Sequence, residues 1–163
     1  MSKGTLQRFE FNGYLIQYDP GTSILLCKRM PEGKNVWIRK IEDGGFIAGA
    51  VHDEDNFYFS IESGDTSGQF IAIRKTDGST RWLIPGKSYM FRIFGDSIFL
   101  IFIDENEKFF LIKAKTADGS KEWHYQVDEE LYQYTINRDR ITLKYHDGRT
   151  DILNSESGFL LPG

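Results

Sequence analysis

The stretch Gly68-Gln69-Phe70-Ile71-Ala72-Ile73-Arg74-Lys75-Thr76-Asp77-Gly78-Ser79-Thr80-Arg81-Trp82 decides the reading of this chain. Its first half alternates as a strand does, Thr76-Asp77-Gly78 reads as a turn, and the second strand carries a Trp four residues after the Gly. The same Gly-x-x-x-Trp offset recurs from Gly33 to Trp37 and from Gly119 to Trp123. A fourth copy, around Gly158, keeps the turn without the Trp. Gly33, Gly78, Gly119 and Gly158 are spaced by 45, 41 and 39 residues, a period of the kind propeller blades occupy. This is a repeat protein, and the repeat speaks for an architecture rather than an activity.

Outward from that unit, short runs rich in Phe, Tyr, Ile and Leu, separated by Gly, Asp, Asn and Pro, recur from Thr5 to Leu161. Unit one has strands near Thr5–Phe11, Tyr14–Tyr18, Ser23–Lys28 and Asn35–Ile41, and unit two near Phe46–Val51, Phe57–Glu62, Gln69–Lys75 and Thr80–Ile84. Unit three follows near Tyr89–Phe94, Ser97–Asp104, Lys108–Lys115 and Lys121–Val127. Unit four lies near Tyr132–Asn137, Arg140–His146, Arg149–Asn154 and Phe159–Leu161. The expectation is one all-β repeat domain over residues 1–163, with four-stranded antiparallel blades at 5–41, 46–84, 89–127 and 132–161. Asp128-Glu129-Glu130-Leu131-Tyr132 is too short for a stable helix and is read as a connector. Ile98-Phe99-Leu100-Ile101-Phe102-Ile103 is apolar on both faces, as in a sheet packed between two others. A β-sandwich is the structural rival, which the period disfavours.

These residues resemble the quinoprotein-type β-propeller repeat, whose blades read roughly Ala-x-Asp-x-x-Thr-Gly-x-x-x-Trp. Unit two matches with Ala72, Gly78 and Trp82, but has Arg74 and Asp77 where the family has Asp and Thr. Unit four has Asn154, Ser157 and Gly158, with Pro162 at the Trp position; units one and three keep Gly and Trp, with Cys27 and Lys113 at the Ala position. The resemblance implies that each Trp docks against the neighbouring blade, a role preferred here to sugar stacking. It implies no cofactor, because the family's quinone-binding residues have no counterpart. The units begin on an innermost strand and end on an outermost one, so no strand is left over to complete a blade from both termini. Four blades in a monomer is the preferred reading; a half-propeller that pairs with a second chain is the alternative.

The 163 residues suffice to bury about two-thirds of the unfolded surface in a single domain. A single cysteine, Cys27, forms no internal disulfide and cannot supply a multi-thiolate metal site; in its apolar strand it reads as a small buried hydrophobe. There is no signal-type h-region near the N-terminus and no membrane-length apolar run, so a soluble, cytoplasmic protein without membrane contact is expected. A net charge of −4 removes the electrostatic reason to expect nucleic acid. His52, His124 and His146 have no partner histidine at ligand spacing. The clusters Asp53-Glu54-Asp55-Asn56 and Asp104-Glu105-Asn106-Glu107 lack the Gly and Glu of a helix-loop-helix calcium loop and read as turns. No metal or cofactor is expected, nor is an enzyme.

Successive loops of a meander alternate between its two ends. The loops between second and third strands, with the inter-unit links, carry Asp19, Glu42, Asp43, Asp65, Asp104, Glu105, Asp128, Glu129, Glu130 and Asp147, against bases such as Lys87. The opposite end carries Lys28, Arg29, Lys34, Lys75, Lys115 and Lys121, although the Asp53-Glu54-Asp55 turn also falls there. The reading is a non-enzymatic binding module whose acidic end steers a basic protein partner, as would suit an inhibitor or immunity-type protein. A lectin-like propeller binding a carbohydrate or other ligand is the alternative; it needs exposed aromatics at equivalent loop positions, and Tyr18, Phe57 and Tyr145 are not equivalent.

Overall fold

The computed structural model describes residues 5–162. The first sheet is β1 (Gln7–Phe11), β2 (Tyr14–Asp19), β3 (Ile24–Arg29) and β4 (Lys34–Lys40), in that order and antiparallel throughout. The second repeats it with β5 (Phe46–His52), β6 (Asn56–Glu62), β7 (Gly68–Arg74) and β8 (Thr80–Pro85). The third comprises β9 (Lys87–Phe94), β10 (Ser97–Ile103), β11 (Phe109–Lys115) and β12 (Lys121–Val127). The fourth has three strands, β13 (Leu131–Ile136), β14 (Arg140–Tyr145) and β15 (Thr150–Asn154).

The fourth sheet corrects the expectation of four full strands per blade. In place of a strand at Phe159–Leu161 there is one antiparallel bridge, Leu153 to Leu160, with Asn154 N donating to Phe159 O and Leu161 N to Ile152 O. The next residue, Pro162, has no N–H to extend the ladder. The chain divides into two compact units, one through Tyr89 and one from Met90. The core of the first gathers Ile16, Tyr18, Leu25, Phe57, Phe59, Ile61 and Ile71 from blades one and two. In the second unit Phe99, Leu100, Leu111, Tyr134, Leu143 and Leu153 are buried. Ile98 to Ile101 of β10 are all buried, so both faces of that strand are covered, as its unbroken apolar run predicts.

One turn is repeated in all four blades. Gly33, Gly78, Gly119 and Gly158 have φ between 73° and 75°, the left-handed region that glycine enters without a Cβ penalty. Each donates its N–H to the carbonyl four residues back, at Arg29, Arg74, Lys115 and Asn154. Three residues before each glycine, Met30, Lys75, Thr116 and Ser155 donate to Gly13, Asp55, Asp96 and Asp139 of the preceding hairpin.

On two of these turns the tryptophan of the previous blade is seated. Trp37 Nε1 donates to Lys75 O at 2.9 Å and Trp123 Nε1 to Ser155 O at 3.1 Å, both bonds buried. The rings lie flat on the glycines: a Cβ on Gly78 would fall 2.4 Å from Trp37 Cδ2, and one on Gly158 2.5 Å from Trp123 Cδ2. Both glycines are therefore required twice, for the backbone angle and for the approach of the indole. Trp82 packs against Tyr58 and Phe70 of its own blade. Gln7 adds a polar link between blades one and two, its amide both donating to Ile47 O and accepting from Ile47 N at 2.8 Å.

Gly13 and Gly78 share a positive φ, but a Cβ on Gly13 meets nothing within 4 Å. Gly13→Ala should therefore cost about 1–2 kcal/mol, the left-handed penalty alone. Gly78→Ala should cost roughly 1–3 kcal/mol more through the clash with the indole. Denaturant midpoints of the two variants measure the difference, and equal losses would contradict the docking.

Candidate binding surface

Antiparallel pairing delivers the acidic loops of each unit to one end of its sheets. In the first unit Asp19 closes β2, Glu42 and Asp43 lie in the β4–β5 link, and Asp65 lies between β6 and β7. Gln69 Nε2 ties the link down through Glu42 O at 2.7 Å, and Tyr18 OH does so through Gly45 O at 2.9 Å. Asp65 borders an open hollow of about 460 Å3 whose lining also includes Pro20, Phe46, Glu62 and Lys87. In the second unit Asp104 and Glu105 follow β10, Asp128, Glu129 and Glu130 link β12 to β13, and Asp147 lies between β14 and β15. There a hollow of about 260 Å3 is lined by Glu107, Lys108, Phe109, Asp128 and Glu129.

Four of the ten acids are occupied in shaping their own turns. Asp19 Oδ1 accepts from Gly21 N, Asp104 Oδ1 from Asn106 N and Lys108 N, Asp128 Oδ1 from Glu130 N, and Asp147 Oδ1 from Arg149 N, at 2.8–3.0 Å. Two of these also meet a base that the sequence reading left out. Arg149 donates from Nη2 to Asp128 Oδ2 and from Nε to Asp147 Oδ2, while its guanidinium lies 4.4 Å from the Tyr145 ring centroid. The bonds from Arg149 hold the Asp147 carboxyl below the usual carboxylate range. The other six carboxylates of the acidic end, Glu42, Asp43, Asp65, Glu105, Glu129 and Glu130, are outside these turn bonds and are all exposed. The adjacency Asp147-Gly148-Arg149 was the sequence signal for the ion pair across the turn; the reach to Asp128 had none.

At the opposite end Lys75 is not a surface base. It is 8% exposed, with Nζ 3.0 Å from His52 Nδ1 and 5.3–5.4 Å from the Phe57 and Tyr14 ring centroids. Arg29 lies over the same Tyr14 ring and donates to its hydroxyl. Burial lowers the pKa of Lys75; burial first, and then the ammonium of Lys75, lowers that of His52. The imidazole is therefore neutral near pH 7, with Nδ1 accepting from the ammonium. Cys27 is buried, and burial pushes its thiol up to about 11, away from nucleophile chemistry.

Asp53 behaves as a turn residue, its Oδ1 accepting from Asp55 N and Asn56 N and its Oδ2 from Tyr58 OH. Among the described residues no three or more His, Cys, Asp or Glu side chains gather as metal ligands would, and no helix is long and apolar enough to cross a membrane. Tyr18, Phe57 and Tyr145, the aromatics weighed for ligand stacking, are all in the core.

No protein-family model matches the chain, and no curated protein is detectably similar to it. Solved structures are similar in fold. The chain superposes along 99% of its length on half of BamB from Moraxella catarrhalis, at a TM-score of 0.64 and 18% identity. It matches 33% of the quinohemoprotein alcohol dehydrogenase ADHIIG from Pseudomonas putida HK5, at 0.64 and 8% identity over 95% of its own length. The fold is that of the quinoprotein-type β-propeller. The computationally designed Ika4 protein is matched over 93% of its length and 94% of this chain, at a TM-score of 0.67 and 5% identity. The propeller thus spans half of BamB's length and nearly all of Ika4's.

The buried lysine–histidine contact sets a pH dependence. Because the pKa of His52 is lower folded than unfolded, the unfolded chain takes up the proton first as pH falls below the ordinary histidine value of 6.5. Stability from this site is present above that value and lost as pH falls through it toward the folded one. His52→Asn keeps an acceptor for Lys75 but does not titrate. Its melting temperature should fall less than wild type's between about pH 7.5 and about pH 5. Thermal unfolding at both values checks this, and equal falls would contradict it.

Proposed function

We propose that the chain is a non-enzymatic protein-binding module whose acidic loops engage a basic surface on another protein. The observation that carries this is the set of six exposed carboxylates, Glu42, Asp43 and Asp65 in the first unit and Glu105, Glu129 and Glu130 in the second. Each lies in a loop after a second or fourth strand. Asp104 and Asp128 stabilise the turns that present Glu105, Glu129 and Glu130, so that part of the charge is carried on defined loops. Such a surface raises the association rate with a cationic partner and disfavours acidic ones. Blocking a basic enzyme or toxin, as inhibitor and immunity proteins do, is one use of a surface of this kind. The cytoplasmic setting expected from the sequence belongs to the same reading.

The test is affinity capture from native lysate with the wild-type chain and with a Glu105→Lys/Glu129→Lys/Glu130→Lys variant, each at low and high salt. A basic protein retained by wild type should bind the variant roughly tenfold more slowly at low salt, with the difference shrinking as salt screens the charges. Equal association rates at low salt would overturn the role of these loops.

A further inference from the structure

Between blades three and four, both in the second unit, lies a hollow of about 320 Å3 whose lining includes Tyr125, Asp128, Tyr145, Arg149 and Asp151. Asp151 departs from the repeat. Seven residues before the turn glycine, it stands where blades one to three have Leu26, Ile71 and Ile112. A carboxylate at an aliphatic position between blades is costly unless bonds compensate it. Here they come from both blades: Tyr125 OH of β12 and Tyr145 OH of β14 each donate to Asp151 Oδ2 at 3.2 Å. Burial, and then the Asp151 carboxylate, raise the pKa of each tyrosine, so both hydroxyls keep their protons as donors.

These bonds leave acceptors unused. Asp151 Oδ1 takes no bond from any described residue, and each tyrosine oxygen, having given its one proton to Asp151, can still accept. Three oxygens with spare lone pairs are therefore gathered around one carboxylate. Its charge is also unmatched. Arg149 is paired with Asp128 and Asp147, and among the described residues no lysine, arginine or histidine forms an ion pair with Asp151.

We propose that this hollow receives the ammonium of a lysine side chain from the basic protein partner, a step that rests on the reading of the acidic loops as a surface for such a partner. An ammonium brings three donors to the three acceptors and a positive charge to the unmatched carboxylate. A guanidinium fits less well, because its planar fork bonds best to both oxygens of a carboxylate and Oδ2 already accepts two bonds. Asp128 joins the hollow to the β12–β13 link that carries Glu129 and Glu130, so the charges that draw in a cation stand beside the oxygens that hold it.

The test is an NMR titration of the isotope-labelled chain with three probes: Nα-acetyl-lysine amide, Nα-acetyl-arginine amide, and Nα,Nε-diacetyl-lysine amide, which keeps the lysine stem without its charge. The lysine probe should shift the amides of Tyr125, Tyr145 and Asp151 saturably. The arginine probe should bind roughly threefold or more weakly, and the diacetylated probe should give no saturable shift. Asp151→Asn keeps an oxygen for the tyrosine hydroxyls but puts an NH2 group in place of the free oxygen; it should weaken the lysine probe about tenfold or more. Tyr125→Phe keeps the charge, removes one acceptor and should weaken it by a smaller factor. No saturable shift with the lysine probe, arginine binding as tightly as lysine, or unchanged affinity in either folded variant would each overturn the proposal. The titration needs no protein partner and leaves Glu105, Glu129 and Glu130 intact, so its failure removes the lysine site without touching the loop charges. Failure of the loop-reversal experiment, conversely, leaves a measured lysine site with no steering surface around it.

Discussion

The fold depends on a flat indole pressed onto a glycine of the next blade. In each of the two units one such contact is seen in full: Trp37 on Gly78 and Trp123 on Gly158, each with its N–H bonded to the carbonyl three residues before the glycine. The bond satisfies the only polar atom of a large apolar side chain, so the ring can be buried without an orphaned donor. The absence of a Cβ lets the ring reach the backbone itself. A single four-stranded meander cannot cover both of its faces, and this contact supplies the cover while setting the relation of one blade to the next.

The departures from the motif gather in blades one and four. Blade four replaces polar residues with Phe159 and Leu160 and the docking tryptophan with Pro162, and blade one has Met30-Pro31 where blade two has Lys75-Thr76 and blade four Ser155-Glu156. The acidic loops follow a separate logic: they lie outside the repeat, vary from blade to blade, and owe their shape to aspartates that accept their own backbone N–H groups.

Much of this could be read in the residues because the constraints are local. A glycine at fixed distance before a tryptophan is visible in one dimension, since both the positive φ and the flat contact exclude other residues there. The doubly buried β10 was likewise legible from its unbroken apolar run. The fourth strand of the last blade was over-read, because Phe159-Leu160-Leu161 has strand-like composition while the proline after it ends the ladder. The charged end was only partly legible. Lys75 looks like any turn lysine, and its burial beneath Tyr14 and Phe57 depends on a neighbouring blade. The reach of Arg149 to Asp128 spans two loops, and no spacing announces it.

The central claim, that seated indoles hold neighbouring blades together, is tested most directly by hydrogen exchange at the tryptophan Nε1–H groups, followed by NMR. With Trp37 bonded to Lys75 O and Trp123 to Ser155 O in buried sites, both signals should exchange slowly, opening only with the blades themselves. Exchange of these two indoles at the rate of a freely solvated tryptophan, in a chain whose strand amides remain protected, would contradict the account.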